Sequence, residues 1–279
     1  MMRAINNGEK FLMLEGNFDQ AFFSKLLREH RIRGVTLLNL HEENINVESN
    51  KDYILGFVNE YADDYSNLYA FVDADYDFAV DSMNQPGDSI LPYSKNIFDT
   101  SPATDLDTKL ISYHNVENYL QSIGCRDSEH IRILAISSML GCLRYHKHSM
   151  ERSSHGVVYA NFSGLLKNLT SVTERVSFES LVGALKKESK SMGSLTKKYF
   201  EKMMKKGVYE DTLANFQRKD LAQCSYIRGH DIMEVICAVK GWKKIHKNKL
   251  EKELIKSNVK NSDFESIVFN LNQSQDFDA

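Results

Sequence analysis

Three aspartates alternate in Phe71-Val72-Asp73-Ala74-Asp75-Tyr76-Asp77, directly after the apolar run Leu68 to Val72. On an extended chain alternate side chains share one side of the backbone. Asp73, Asp75 and Asp77 are therefore predicted to face one way, and Ala74 and Tyr76 the other. Carboxylates crowded together repel and resist joint ionisation. A divalent cation relieves that repulsion, and oxygen-only ligands suit a hard ion such as Mg²⁺ or Mn²⁺. Taken alone, the same residues also read as an acidic surface turn after a buried strand.

The elements around this stretch decide what it can meet. Lys10 to Leu14 is a short apolar run stopped by Glu15-Gly16, which reads as a buried strand with a tight exit. Asn17 or Asp19 can cap a helix in which Phe22, Phe23, Leu26 and Leu27 recur at helical spacing through about Glu29. Gly34 breaks the chain, and Val35 to Leu40 reads as a second strand. Tyr53, Ile54, Phe57, Val58 and Tyr61 mark a helix over 51–63, and Leu68 to Val72 is a third strand. This β-α-β-α-β order predicts an α/β fold with a parallel sheet covered by helices. Functional groups gather at the carboxyl ends of such strands. If strands one and three are neighbours, Glu15 converges with Asp73 and Asp75.

All three prolines, Pro86, Pro92 and Pro102, fall in one stretch that reads as a long irregular loop. Lys109 to Tyr113 is read as a fourth strand running into a helix that starts near Asn115. His114 and Glu117, three apart at that helix start, share a face. Glu117 is a candidate catalytic residue or added metal ligand. His114 is a candidate ligand or proton donor, with a structural histidine as the commoner fate. From about Asp127 the pattern turns helical. A short strand over 157–160 is expected, with helices over 178–188, 194–206, 209–216, 229–240 and 247–256. Gly207 and Gly241 are stop signals, and the last dozen residues read as frayed.

Charge divides the 279 residues unevenly. Residues 1–150 hold 13 Lys and Arg against 22 Asp and Glu, and residues 151–256 hold 21 against 12. An acidic half beside a basic half fits a metal site facing a polyanion-binding surface, and equally a protein that binds itself or a partner. Lys197, Lys198, Lys243 and Lys244, with Lys186-Lys187 and Lys205-Lys206, are candidate nucleic-acid contacts, though a lysine run is more often a solvated face. Arg228 and His230 are candidate phosphate contacts. Otherwise Asp231 caps a helix and Gly229 supplies the turn. Cys125, Cys142, Cys224 and Cys237 lack metal or disulfide spacing and read as reduced thiols of a cytoplasmic protein. No apolar run approaches the roughly 18 residues of a membrane span, and the N-terminus does not read as a signal peptide.

The stretches Leu14-Glu15-Gly16-Asn17-Phe18-Asp19 with Phe22-Phe23, and Val72-Asp73-Ala74-Asp75, resemble the TOPRIM domain of topoisomerases, primases and overcoming-lysogenisation-defect nucleases. Ile111-Ser112-Tyr113-His114-Asn115-Val116-Glu117-Asn118-Tyr119-Leu120 and Ile227-Arg228-Gly229-His230-Asp231-Ile232 resemble a bacterial TOPRIM-like family of anti-phage defence. Its best-known member is the AriB effector of PARIS systems. The resemblance implies a TOPRIM-like catalytic domain over 1–125 and a mainly helical, basic region over 126–279. It implies a Mg²⁺- or Mn²⁺-dependent endonuclease. Glu15 would act on metal or as general acid/base, Asp73 and Asp75 would be metal ligands, and Asp77 a third acidic position. Asp19 matches the Glu-Gly-x-x-Asp position, with helix capping as its equal alternative. For AriB-like proteins the resemblance further implies a toxin that acts on host tRNA after release by an ABC-type ATPase partner. A homodimer is consistent with the divided charge. The competing expectations are a DNA-acting TOPRIM enzyme and a non-catalytic TOPRIM-like module that binds a partner ATPase.

Overall fold

Short apolar runs build the sheet. In the computed structural model β1 (Lys10–Leu14), β2 (Val35–Asn39), β3 (Leu68–Val72) and β4 (Ile97–Asp99) form one parallel sheet in the order β2-β1-β3-β4. The structure describes residues 9–40, 49–74, 96–100, 103, 105–112, 116–151, 162–173, 176–187 and 227–273. They fall into two units. One lies within Met1–Asp73, Ser89–Thr100 and Glu251–Ala279, the other within Ala74–Asp88 and Ser101–Leu250.

The first unit holds the sheet. Helix α1 (Asn17–Glu29) packs on β2, and α2 (Asn50–Tyr61) on β3. The pleat sends alternate side chains of each strand to opposite faces. Phe11, Met13, Ala70 and Val72 pack with Ile54 and Val58 of α2. Phe71 instead meets Phe23 of α1, with ring centroids 4.8 Å apart. Both faces of β1 and β3 are thus buried, which is why these strands read as unbroken apolar runs rather than alternating ones. The α/β expectation holds. The third strand lies beside the first, in register Leu14↔Phe71, so the chain steps from β1 to β2 on one side and then crosses β1 to β3.

Two expectations fail here. The fourth strand is Ile97–Asp99, inside the stretch read as an irregular loop. Buried Asn96 starts it: its Nδ2 donates to the Leu68 carbonyl at 2.9 Å, and its own carbonyl accepts from Ala70 N–H at 2.9 Å. Of the stretch read as a fourth strand, Lys109–Ser112 is helical instead, as part of α3 (Leu106–Ser112), and Tyr113 lies outside the described residues. A short apolar run suits a strand or a buried helix turn alike, and Asp105 decides. Its Oδ1 accepts from Thr108 N–H at 2.8 Å, satisfying a first-turn donor.

The second unit is helical among the described residues: α3, α4 (Val116–Ser122), α5 (Asp127–Glu151), α6 (Phe162–Thr170), α7 (Phe178–Lys187) and α8 (Gly229–Lys240). Helix α8 packs against α3, α5 and α6. Gly241 follows α8 with a left-handed φ of 65°, so the expected stop is real. The strand expected at 157–160 and the helices at 194–206 and 209–216 lie outside the described residues, as does Gly207.

Helix α9 (Lys244–Asn258), a 3₁₀ turn (Ser262–Phe264) and α10 (Glu265–Gln273) complete the chain. The tail expected to be frayed is ordered helix as far as Gln273, and residues 274–279 lie outside the described residues. Phe264 is buried and packs on Phe22, with centroids 4.7 Å apart. Leu271 is fully buried. Lys10, itself buried at the head of β1, donates to the Leu271 carbonyl, and Tyr69 Oη donates to the Asn270 carbonyl at 3.4 Å. Burial pushes the Lys10 ammonium below the usual lysine range. No helix among the described residues is long and apolar enough to cross a membrane.

Candidate active site

Glu15 and Asp73 are the residues that follow β1 and β3 directly. Because those strands are neighbours, the two acids meet at the carboxyl edge of the sheet. The Asp73 main-chain N–H donates to Glu15 Oε1 at 2.8 Å, and both residues are half-buried. The edge they share is the topological switch point. From β1 the chain runs outward to β2 on one side and, after α2, to β3 on the other. In open parallel sheets this reversal leaves a crevice outside the strand ends. Asp75 and Asp77 lie outside the described residues.

The turn after β1 is built to hold Glu15. Gly16 is the N-cap of α1, with extended backbone, and its N–H donates to Asp19 Oδ2 at 3.0 Å. Asp19 therefore acts as the capping partner of this helix, the second of its two expected roles. From the β2 side, Asn50 Nδ2 donates to the Glu15 carbonyl at 3.1 Å. Asn39 Nδ2 donates to Asn17 Oδ1 at 2.6 Å and to Gln20 Oε1 at 3.1 Å. Asp99 ends β4 at the same edge, level with Val72. Asn39, Asn50 and Asp99 were not singled out from the sequence. Asn39 carries a signal like that of Asp73, a polar residue closing an apolar run. Asp99 sits in the proline-rich stretch, where no strand was expected.

Among the described residues no three His, Cys, Asp or Glu side chains gather as a metal-ligand group. The carboxylate oxygens of Glu15 and Asp73 are donors of the type that suits a hard divalent ion.

The other candidates lie in the second unit or outside the described residues. Glu117 is half-buried in the first turn of α4, and His114 is not among the described residues. Lys197, Lys198, Lys205 and Lys206 are not either. Lys243 is exposed before α9, and Lys244 is the first residue of that helix. Lys186 and Lys187 end α7.

The stretch Ile227 to Asp231 knits its unit together. Arg228 Nε lies 3.2 Å from Asp105 Oδ2. Gly229 N–H donates to Thr108 Oγ1 at 2.6 Å, and a Cβ on Gly229 would lie 2.3 Å from Thr108 N and 2.4 Å from the Asp107 carbonyl carbon. So Gly229 is there for close helix packing, not for a turn. Asp231 does not cap the helix. It takes a two-point ion pair from Arg144, at 2.6 and 2.8 Å. His230 is exposed and pairs with Glu234 at 3.1 Å, next to Lys247. That hydrogen bond to His230 holds the Glu234 carboxyl down at about 2. Glu129 is likewise held at about 2, chiefly by the Arg126 main-chain N–H and further by Arg126 and Lys240 side chains. Cys125, Cys142 and Cys237 form no disulfide among the described residues, and Cys224 lies outside them. Burial raises the Cys125 thiol.

A comparison of the chain with protein-family models, curated proteins and solved structures finds no significant match in any of the three.

Proposed function

We propose that this chain is a Mg²⁺- or Mn²⁺-dependent phosphodiester hydrolase of the TOPRIM type. One observation carries the reading: Glu15 and Asp73 stand astride the switch point of a parallel sheet, with Asp73 N–H on the Glu15 carboxylate. Glu15 and Asp73, joined by Asp75 and Asp77, would hold the ion. A bound ion of this kind polarises a phosphoryl oxygen and lowers the pKa of a coordinated water. The Asp73 N–H orients Glu15 as ligand or proton acceptor, and the Gly16–Asp19 bond fixes the turn that carries it.

The finer reading is an antiviral toxin that cuts host RNA, tRNA in particular, and is released by an ABC-type ATPase. It rests on the resemblance of the 111–120 and 227–232 stretches. The test is cleavage of labelled RNA and DNA with Mg²⁺, with Mn²⁺ and with EDTA. RNA cleavage that needs the metal is the expected result. Undiminished cleavage in EDTA would overturn the metal reading, and metal-dependent cleavage of DNA alone would replace the RNA substrate with DNA.

A further inference from the structure

Glu15 is held by groups that come from outside its own strand and helix. Asn39, the last residue of β2, is only 1% exposed, yet it spends its amide on the side chains of Asn17 and Gln20 in the first turns of α1. Asn50, the first residue of α2, donates to the Glu15 carbonyl. A buried amide at a strand end has to be paired, and an apolar residue there would bury as well without a partner. Here the pairing runs to the turn that carries Glu15. With the Gly16–Asp19 bond and the Asp73 N–H, the residues from Glu15 to Asn17 are tied at the main-chain carbonyl, the main-chain N–H and two side chains. None of these ties needs the carboxylate of Asp73 itself.

We infer that Asn39 and Asn50 are positioning residues that fix the Glu15 carboxylate for metal binding and hydrolysis, from the β2–α2 side of the site. The inference rests on the proposed function for what Glu15 does, but not for how it is held. Groups that orient a metal ligand from behind typically change metal affinity or activity by about 10–100-fold when removed. The Asn50→Ala substitution deletes one donor at a half-buried helix start, so the fold should survive it.

The test combines two readouts on the full chain. Amide hydrogen exchange, resolved by residue, reports the Gly16 and Asp73 N–H groups in metal-free protein. Calorimetry reports Mn²⁺ affinity. Asn50→Ala should speed exchange at both amides and weaken Mn²⁺ binding by about tenfold or more, with an unchanged melting temperature in EDTA. Asn50→Gln, which keeps a donor, should recover part of both. Asn39→Ala should act in the same direction, and if it fails to fold, Asn50→Ala decides. Unchanged exchange in Asn50→Ala overturns the inference, and so does unchanged Mn²⁺ affinity where the wild type binds Mn²⁺. If the wild type binds no Mn²⁺ but exchange still rises in Asn50→Ala, the hydrolase reading falls and the positioning of Glu15 stands.

Discussion

The main-chain N–H of Asp73 donates to Glu15 Oε1 at 2.8 Å, so the end of the third strand in sequence holds the side chain that ends the first. Fifty-eight residues separate the two acids in the chain. They meet because β3 returns to pair with β1 after β2 has taken the far side. The contact uses the backbone of Asp73, so substitution of the Asp73 side chain leaves it in place, whereas substitution of Glu15 removes it.

Gly229→Ala is expected to destabilise the second unit. A methyl group there would press within 2.5 Å of Thr108 N and of the Asp107 carbonyl carbon, atoms of backbone that cannot rotate away. Overpacking of this kind costs about 1–3 kcal/mol. Urea unfolding should show a lower midpoint with the slope retained. A midpoint equal to that of the wild type would mean that α8 stands away from α3.

Acid should loosen the same unit through Glu129. Its folded pKa, about 2, lies below the ordinary carboxylate value of 4.5. The native state therefore binds fewer protons than the unfolded state between those values. The stabilisation is present in full above pH 4.5 and is lost as pH falls towards 2. The Lys240 partner lies 3.2 Å away with both side chains near the surface, so solvent screening limits the effect to on the order of 1 kcal/mol. Melting temperatures of wild type and Glu129→Gln should converge as pH falls from 5 to 2.5. A constant gap across that range would remove Glu129 as the cause.

The candidate lysines give a salt-dependent expectation. If Lys197, Lys198, Lys243 and Lys244 contact nucleic acid, changing all four to Glu should weaken RNA binding and flatten its dependence on salt. An unchanged salt slope would return them to a solvated face. Arg228→Ala should act on stability instead, because its guanidinium is committed to Asp105.

The sheet was legible because buried parallel strands announce themselves as unbroken apolar runs, as in Lys-Phe-Leu-Met-Leu and Leu-Tyr-Ala-Phe-Val. The meeting of Glu15 and Asp73 was legible because they stop two of those runs abruptly. The fourth strand was not, since only three residues form it and its start depends on Asn96 reaching Leu68, a tertiary contact. Helix α3 was misread for a local reason: the capping signal of Asp105 lies five residues upstream of the apolar pair Leu110-Ile111 that suggested a strand. The role of Ile227 to Asp231 needed the fold too. Asp105, Thr108 and Arg144, which take its Arg, Gly and Asp, lie at least 87 residues away in the chain.

If Glu15 and Asp73 are a catalytic pair rather than a structural one, Glu15→Ala separates the two roles. Both acids sit at the rim after their strands, half-buried, and neither side chain fills the core. Removing the Glu15 carboxylate relieves its repulsion with Asp73 but costs the Asp73 N–H its Glu15 acceptor, an effect of about 1 kcal/mol, so the melting temperature in EDTA should stay close to that of the wild type. The measurement pairs Mg²⁺-dependent RNA cleavage with melting temperature on the same preparation. Cleavage should vanish while the melting temperature holds. Cleavage at the wild-type rate, or a melting temperature far below that of the wild type, would contradict the catalytic role.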